Sequence, residues 1–167
     1  GEDSYDPITE DGWDTPPEIM LSEDKKLVFS AWDNLPKNIS SICNVYATYD
    51  TYWTVRFYNE PIDGKGYTDE VDMQWVKNGS NAVNPITRPD KPIDTPKKES
   101  TAQYHFTFSN WDKSYSNITE ATKIYAEYSS EIRRYDVTFY NLEDGEKILL
   151  YTQENIRYGD SAIDPST

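Results

Sequence analysis

The chain has one cysteine, one histidine and two methionines in 167 residues. A single thiol, Cys43, forms no internal disulfide, and its neighbours Ile42 and Val45 are apolar, so a buried inert sulfur is expected rather than a nucleophile. His105 stands in Tyr104-His105-Phe106-Thr107-Phe108, on the face opposite the phenylalanines, with no serine or cysteine motif beside it. Histidine acid–base catalysis needs a placed partner, so an exposed strand histidine is the expectation. No apolar run approaches the ~18 residues that span a bilayer. No signal-peptide pattern follows Gly1, so a soluble mature protein or an excised fragment is expected.

Basic residues are also short: sixteen against thirty acidic ones, a formal charge of −14. That balance repels phosphate backbones and anionic lipid, which excludes nucleic acid as an expected partner and membrane insertion with it. What is abundant is aromatic. Fourteen tyrosines and five tryptophans give large amphipathic side chains suited to half-buried sheets and contact surfaces.

The sequence also repeats. Phe29-Ser30-Ala31-Trp32-Asp33 returns 79 residues on as Phe108-Ser109-Asn110-Trp111-Asp112. Asn38-Ile39-Ser40 matches Asn117-Ile118-Thr119, and Val45-Tyr46-Ala47 matches Ile124-Tyr125-Ala126, at the same offset. Val55-Arg56-Phe57-Tyr58-Asn59 returns as Val137-Thr138-Phe139-Tyr140-Asn141, Asp63-Gly64 as Asp144-Gly145, and Gly79, Ala82 and Pro85 as Gly159, Ala162 and Pro165. A proline joint occurs three times, at Asp6-Pro7, Asn84-Pro85 and Asp164-Pro165, so the chain begins and ends at one phase of its repeat. That phase makes a fragment the more natural expectation.

Apolar residues alternate within each copy, as in Trp53, Val55, Phe57 and Tyr135, Val137, Phe139. Period two with β-branched and aromatic residues marks strands, and the Asn-Gly, Asp-Gly and proline-rich stretches between them mark turns. The expected fold is mostly β: two small antiparallel β-sandwich or β-grasp-like modules in tandem, with little helix. Trp32 and Trp111 are expected as equivalent lids. Segments 16–24 and 94–103 each have room for a helical turn, and 129–134 reads as a short linker.

Val-Thr-Phe-Tyr-Asn, Asp-Gly, Tyr-Gly-x-x-Ala, the joint, Phe-Thr-Phe-Ser-x-Trp-Asp, Asn-Ile-Thr and Ile-Tyr-Ala-x-Tyr together resemble the Listeria–Bacteroides repeat, the internalin-type B repeat, over residues 6–167. The chain departs from that pattern at Asn78-Gly79, where the second copy keeps Tyr158-Gly159, and in the acidic 60–75 segment, where the second copy has Leu149-Leu150. The resemblance implies an extracellular, non-enzymatic spacer or adhesion module of a bacterial surface protein or phage virion protein. It carries no catalytic motif. The units are framed as 1–83 and 84–167; the alternative frame is one complete unit at 53–133, with 1–52 and 134–167 as complementary parts.

No catalytic residue, metal or cofactor is expected. Carboxylate pairs are too common to single out a glycosidase pair, and the Asp69–Asp72 stretch lacks EF-hand spacing. Asn38, Asn78 and Asn117 satisfy the glycosylation sequon, yet two of them are the repeat's turn. Trp13, Trp75 and Tyr115 have no aromatic counterpart in the other copy, which makes them the candidate surface-binding residues. The expected partner is a bacterial cell-surface component or glycan, or another virion or surface subunit; the competing reading is a carbohydrate-binding module of a secreted enzyme.

Overall fold

A computed structural model describes residues 14–59 and 69–166. Among them there is no helix and there are eight strands: β1 Ile19–Ser22, β2 Lys25–Trp32, β3 Ala47–Tyr58, β4 Glu70–Lys77, β5 Tyr104–Trp111, β6 Thr122–Ile132, β7 Arg134–Glu143 and β8 Glu146–Arg157. The expected all-β class is what the chain adopts. Within it, 16–24 carries β1 and 94–103 is irregular, so neither holds the helical turn its charges permitted. The segment read as a linker is almost all strand as well, since Arg133 alone separates β6 from β7.

One sheet runs β1-β2-β3-β6-β5 with β4 on the other side of β3, and β7 and β8 form a two-stranded sheet of their own. Contacts divide the chain into two units, Gly1–Asp94 with Trp111–Tyr125, and Thr95–Asn110 with Ala126–Thr167.

In the first unit β3 is the organising strand. Its first half pairs antiparallel with β2, from Trp32↔Ala47 to Lys25↔Trp53. Its second half takes β6 on that same edge, parallel, from Val55↔Thr122 to Tyr58↔Tyr125. Thr54 lies at the exchange, where its N–H donates to the Asp24 carbonyl at 3.1 Å. This parallel pair departs from the antiparallel expectation, because parallel neighbours need a long crossover that local turn signals do not announce. The opposite edge of β3 pairs antiparallel with β4, Tyr52↔Lys77 through Tyr58↔Glu70.

Alternation sends Val55 and Phe57 to one face, where both are fully buried with Ile124, and Trp111 closes over them with its ring 5.0 Å from Phe57. The joint folds onto the same core: Pro85 is fully buried, Gly79 N–H donates to Ile118 O at 2.7 Å, and Ala82 N–H to Tyr115 O at 2.8 Å. Gly79 has φ +80°, a conformation in which a Cβ is strained. Trp111, at 4% exposure, therefore covers a core as expected of a lid, whereas Trp32 is only half-buried, with Phe29 at 5.3 Å.

In the second unit β7 and β8 form a long hairpin from Arg134↔Arg157 to Glu143↔Glu146. Its turn is Asp144-Gly145, both at positive φ, as an Asp-Gly hairpin turn requires. Tyr128 of β6 packs edge-on against Phe108 of β5.

Candidate functional site

The outward face of the β2–β3–β4 sheet carries the candidate that can be described. Trp75 stands across from Thr54 and is half-exposed. Lys26, from β2, lays its Nζ 5.1 Å from the Trp75 ring centre and is held there by Glu18 at 2.8 and 3.0 Å. The ammonium thus occupies part of the indole surface, an attraction worth ~0.5–1 kcal/mol at an exposed site.

Beside this pair runs a chain of charges. Asp24 accepts from Thr54 Oγ1 at 2.5 Å and from Arg56 Nε at 3.2 Å, and Arg56 reaches on to Glu70 at 2.8 Å. The hydroxyl bond and the guanidinium both hold Asp24 below the ordinary carboxylate range. Glu70 and Asp24 in turn hold Arg56 firmly protonated. Burial, then the Glu70 charge, pushes the Tyr58 phenol up, and that ring stacks on Tyr125 at 5.4 Å. The result is a pre-organised strip of one tryptophan, two cations, three carboxylates and two tyrosines. Such a strip offers hydrogen bonds and an aromatic edge to a polar ligand.

The other candidates lie elsewhere. Tyr115 is half-buried with its ring 5.8 Å from Phe57, so its aromatic body packs against the core. Trp13 lies outside the described residues. The structure therefore places Trp75 on a surface and Tyr115 in packing, and does not bring the two together on one face. His105 is exposed, with Ser100 Oγ 2.9 Å from Nδ1. Cys43 corrects an expectation: it is exposed, because Ile42 beside it is itself 97% exposed and nothing apolar covers either. Asn38 and Asn117 both have positive φ, as turn residues do.

On the core face the ion pair is structural. Asp72, fully buried at its side chain, accepts from Arg88 at 3.1 and 3.2 Å, and Arg88 is also bonded to Asp90. Arg88 holds Asp90 down to about 2. Gln74 clamps Val83 with both amide atoms, at 2.7 and 2.9 Å, so the proline joint is fixed to β4. Sequence reading missed this network because its partners sit 9 to 16 residues apart across a loop.

Among the described residues no group of three histidine, cysteine, aspartate or glutamate side chains is arranged to hold a metal ion, and no helix is long and apolar enough to cross a membrane. Comparison with family models, curated proteins and solved structures finds no match to this chain.

Proposed function

We propose that this chain is a non-catalytic β-repeat segment of a large extracellular surface adhesin or phage virion protein, acting as a spacer and as an adhesion or display module. The observation that carries the reading is a pair of identical spans. β2 runs from 25 to 32 and β5 from 104 to 111, each offset by 79 and each ending on a tryptophan. A unit repeated as a whole strand, cap included, is what a tandem structural array uses. The buried core, drawn from Val55, Phe57, Trp111, Ile118 and Ile124, supports the frame in which 53–133 is the complete unit. Repetition raises weak contacts to useful avidity when several units engage one surface.

The Trp75 strip favours a second reading, a carbohydrate-binding module of a secreted enzyme, since an indole edge flanked by fixed charges suits a sugar ring and its hydroxyls. Binding of the purified chain to a panel of bacterial cell walls and polysaccharides at physiological salt tests both. Saturable binding that is lost in Trp75→Ala or Trp13→Ala supports recognition through an aromatic surface. Binding to cell walls that survives both substitutions supports adhesion through the repeat scaffold, and a complete absence of binding removes the adhesion half of the reading and leaves the spacer.

A further inference from the structure

The residues that build the buried core between Val55 and Ile124 have sequence counterparts, and the counterparts are not buried. Val55 and Phe57 are fully buried, whereas Val137 and Phe139 are half-exposed. Tyr58 is 8% exposed and Tyr140 53%; Ile118 is 4% exposed and Ile39 39%. Pro85 is fully buried and Pro165 exposed. These counterparts fall into two groups, one at 32–46 and one at 137–165. In the complete core, the matching two groups are the ones that pack on each other: Phe57 on Trp111, Tyr58 on Tyr125, and the 79–82 turn on Tyr115 and Ile118.

The backbone shows the same division. Thr122–Tyr125 are strand because they lie along β3, but their counterparts 43–46 are not assigned to a strand. Tyr46 O still accepts from Asp33 N–H at 2.7 Å, as Tyr125 O does from Asp112 N–H at 2.8 Å, so the segment already has the form that one flank requires. The counterpart of β3's second half is β7, whose sheet among the described residues contains only β8. Ile163 N–H donates to Gln153 Oε1 at 2.9 Å, the same bond that Val83 N–H makes to Gln74, so the tail half already holds one of the two bonds of that clamp. A groove of about 680 Å³ lies along it, lined by Leu150, Tyr151, Gln153, Ile163 and Pro165 among others. In the complete core the corresponding joint residue, Asn84, accepts from the Trp111 indole at 3.4 Å.

We propose that a second copy of this chain completes this half: residues 43–46 of one copy add as a parallel strand to Val137–Tyr140 of the next, reproducing the β3–β6 interface. Carrying over the register of that interface puts Cys43 across from Val137 and Tyr46 across from Tyr140, the latter as a stacked pair. The occupant is another copy because the surfaces are the two halves of an interface the chain already contains, with exposed Tyr140, Leu149 and Ile163 facing exposed Ile39 and Tyr46. The contact joins different patches on the two copies, so a single contact leaves one patch free at each end, and further copies add there head to tail. An open strand edge is the usual site for such addition.

Sedimentation velocity of the purified chain over a concentration series tests this, with circular dichroism confirming that each variant keeps its strands. The wild-type chain gives a mass that grows with concentration beyond two copies. Tyr46→Asp and Tyr140→Asp, both at exposed positions, are each monomeric alone, and an equimolar mixture stops at two copies because each variant retains one intact end. A wild-type chain that stays monomeric at every concentration overturns the proposal, including the case in which its own two halves close on each other. A dimer indifferent to either substitution, or variants that do not complement, overturns it equally.

Discussion

Asp72 and Asp24 are carboxylates in two different situations. Asp72 is fully shielded and relies on Arg88, itself only 20% exposed, so Arg88→Ala leaves a buried charge without its cation. Breaking such a pair costs about 3–5 kcal/mol, and urea unfolding of Arg88→Ala is expected to show a loss of about 3 kcal/mol. Asp90→Asn, at an exposed side chain, is expected to lower the midpoint by clearly less than Arg88→Ala does. Asp24 and Asp90 also set the acid limb. Their folded pKa values lie below the unfolded value of about 4, so their stabilisation is complete above that pH and is lost as pH falls through the folded values, toward 2 for Asp90. Thermal melts between pH 5 and 2 are therefore expected to fall steadily, and Asp24→Asn to flatten part of that fall.

The two repeat tryptophans make a further residue-scale contrast. Trp111→Ala empties a 4% exposed site against Phe57 and is expected to cost about 3–5 kcal/mol, while Trp32→Ala, at a half-buried site, costs clearly less. Equal losses in denaturant unfolding contradict the unequal cores. Residue identity made the equivalence of these tryptophans legible, but not their difference, since burial depends on what the other half of a unit supplies. Cys43 was misread for the same reason: apolar neighbours in sequence bury a thiol only when some other element lies over them.

At the scale of elements, what was legible was local. Alternation and the Asp-Gly and Asn-Gly turns located the strands, because period two and positive φ are written in a few adjacent residues. The β3–β6 pair joins residues 67 apart in sequence, Val55 and Thr122, and carries no local mark. Trp75 was legible as an unmatched aromatic, but its partner Lys26 comes from β2 and was not. The strands also differ in support. β3 is paired along both edges and buried at Val55 and Phe57, whereas among the described strands β7 and β8 pair only with each other, with Leu149 and Leu150 59% and 65% exposed. An isolated two-stranded sheet is marginal in water. Amide hydrogen exchange of the dilute chain is expected to protect β3 and β4 to the level of global unfolding and to release β7 and β8 through local opening. Uniform protection in dilute solution contradicts this ranking.

For the whole molecule, charge decides how apolar halves meet. Each copy carries −14, so two copies repel at long range whatever their contact surfaces do. The turn of the β7–β8 hairpin adds Glu143, Asp144 and Glu146 beside the exposed Tyr140 and Leu142. Screening shortens that repulsion from about 10 Å at 0.1 M salt to about 3 Å at 1 M, while burial of tyrosine and leucine surface is not weakened by it. Head-to-tail association is therefore expected to strengthen as sodium chloride rises. Contacts held by ion pairs, such as those of Arg56 and Lys26, follow the opposite sign and weaken. Sedimentation equilibrium across that salt range separates the two: an association constant that rises with salt fits apolar strand addition, and one that falls assigns any self-association to the charged outer strip around Trp75 instead.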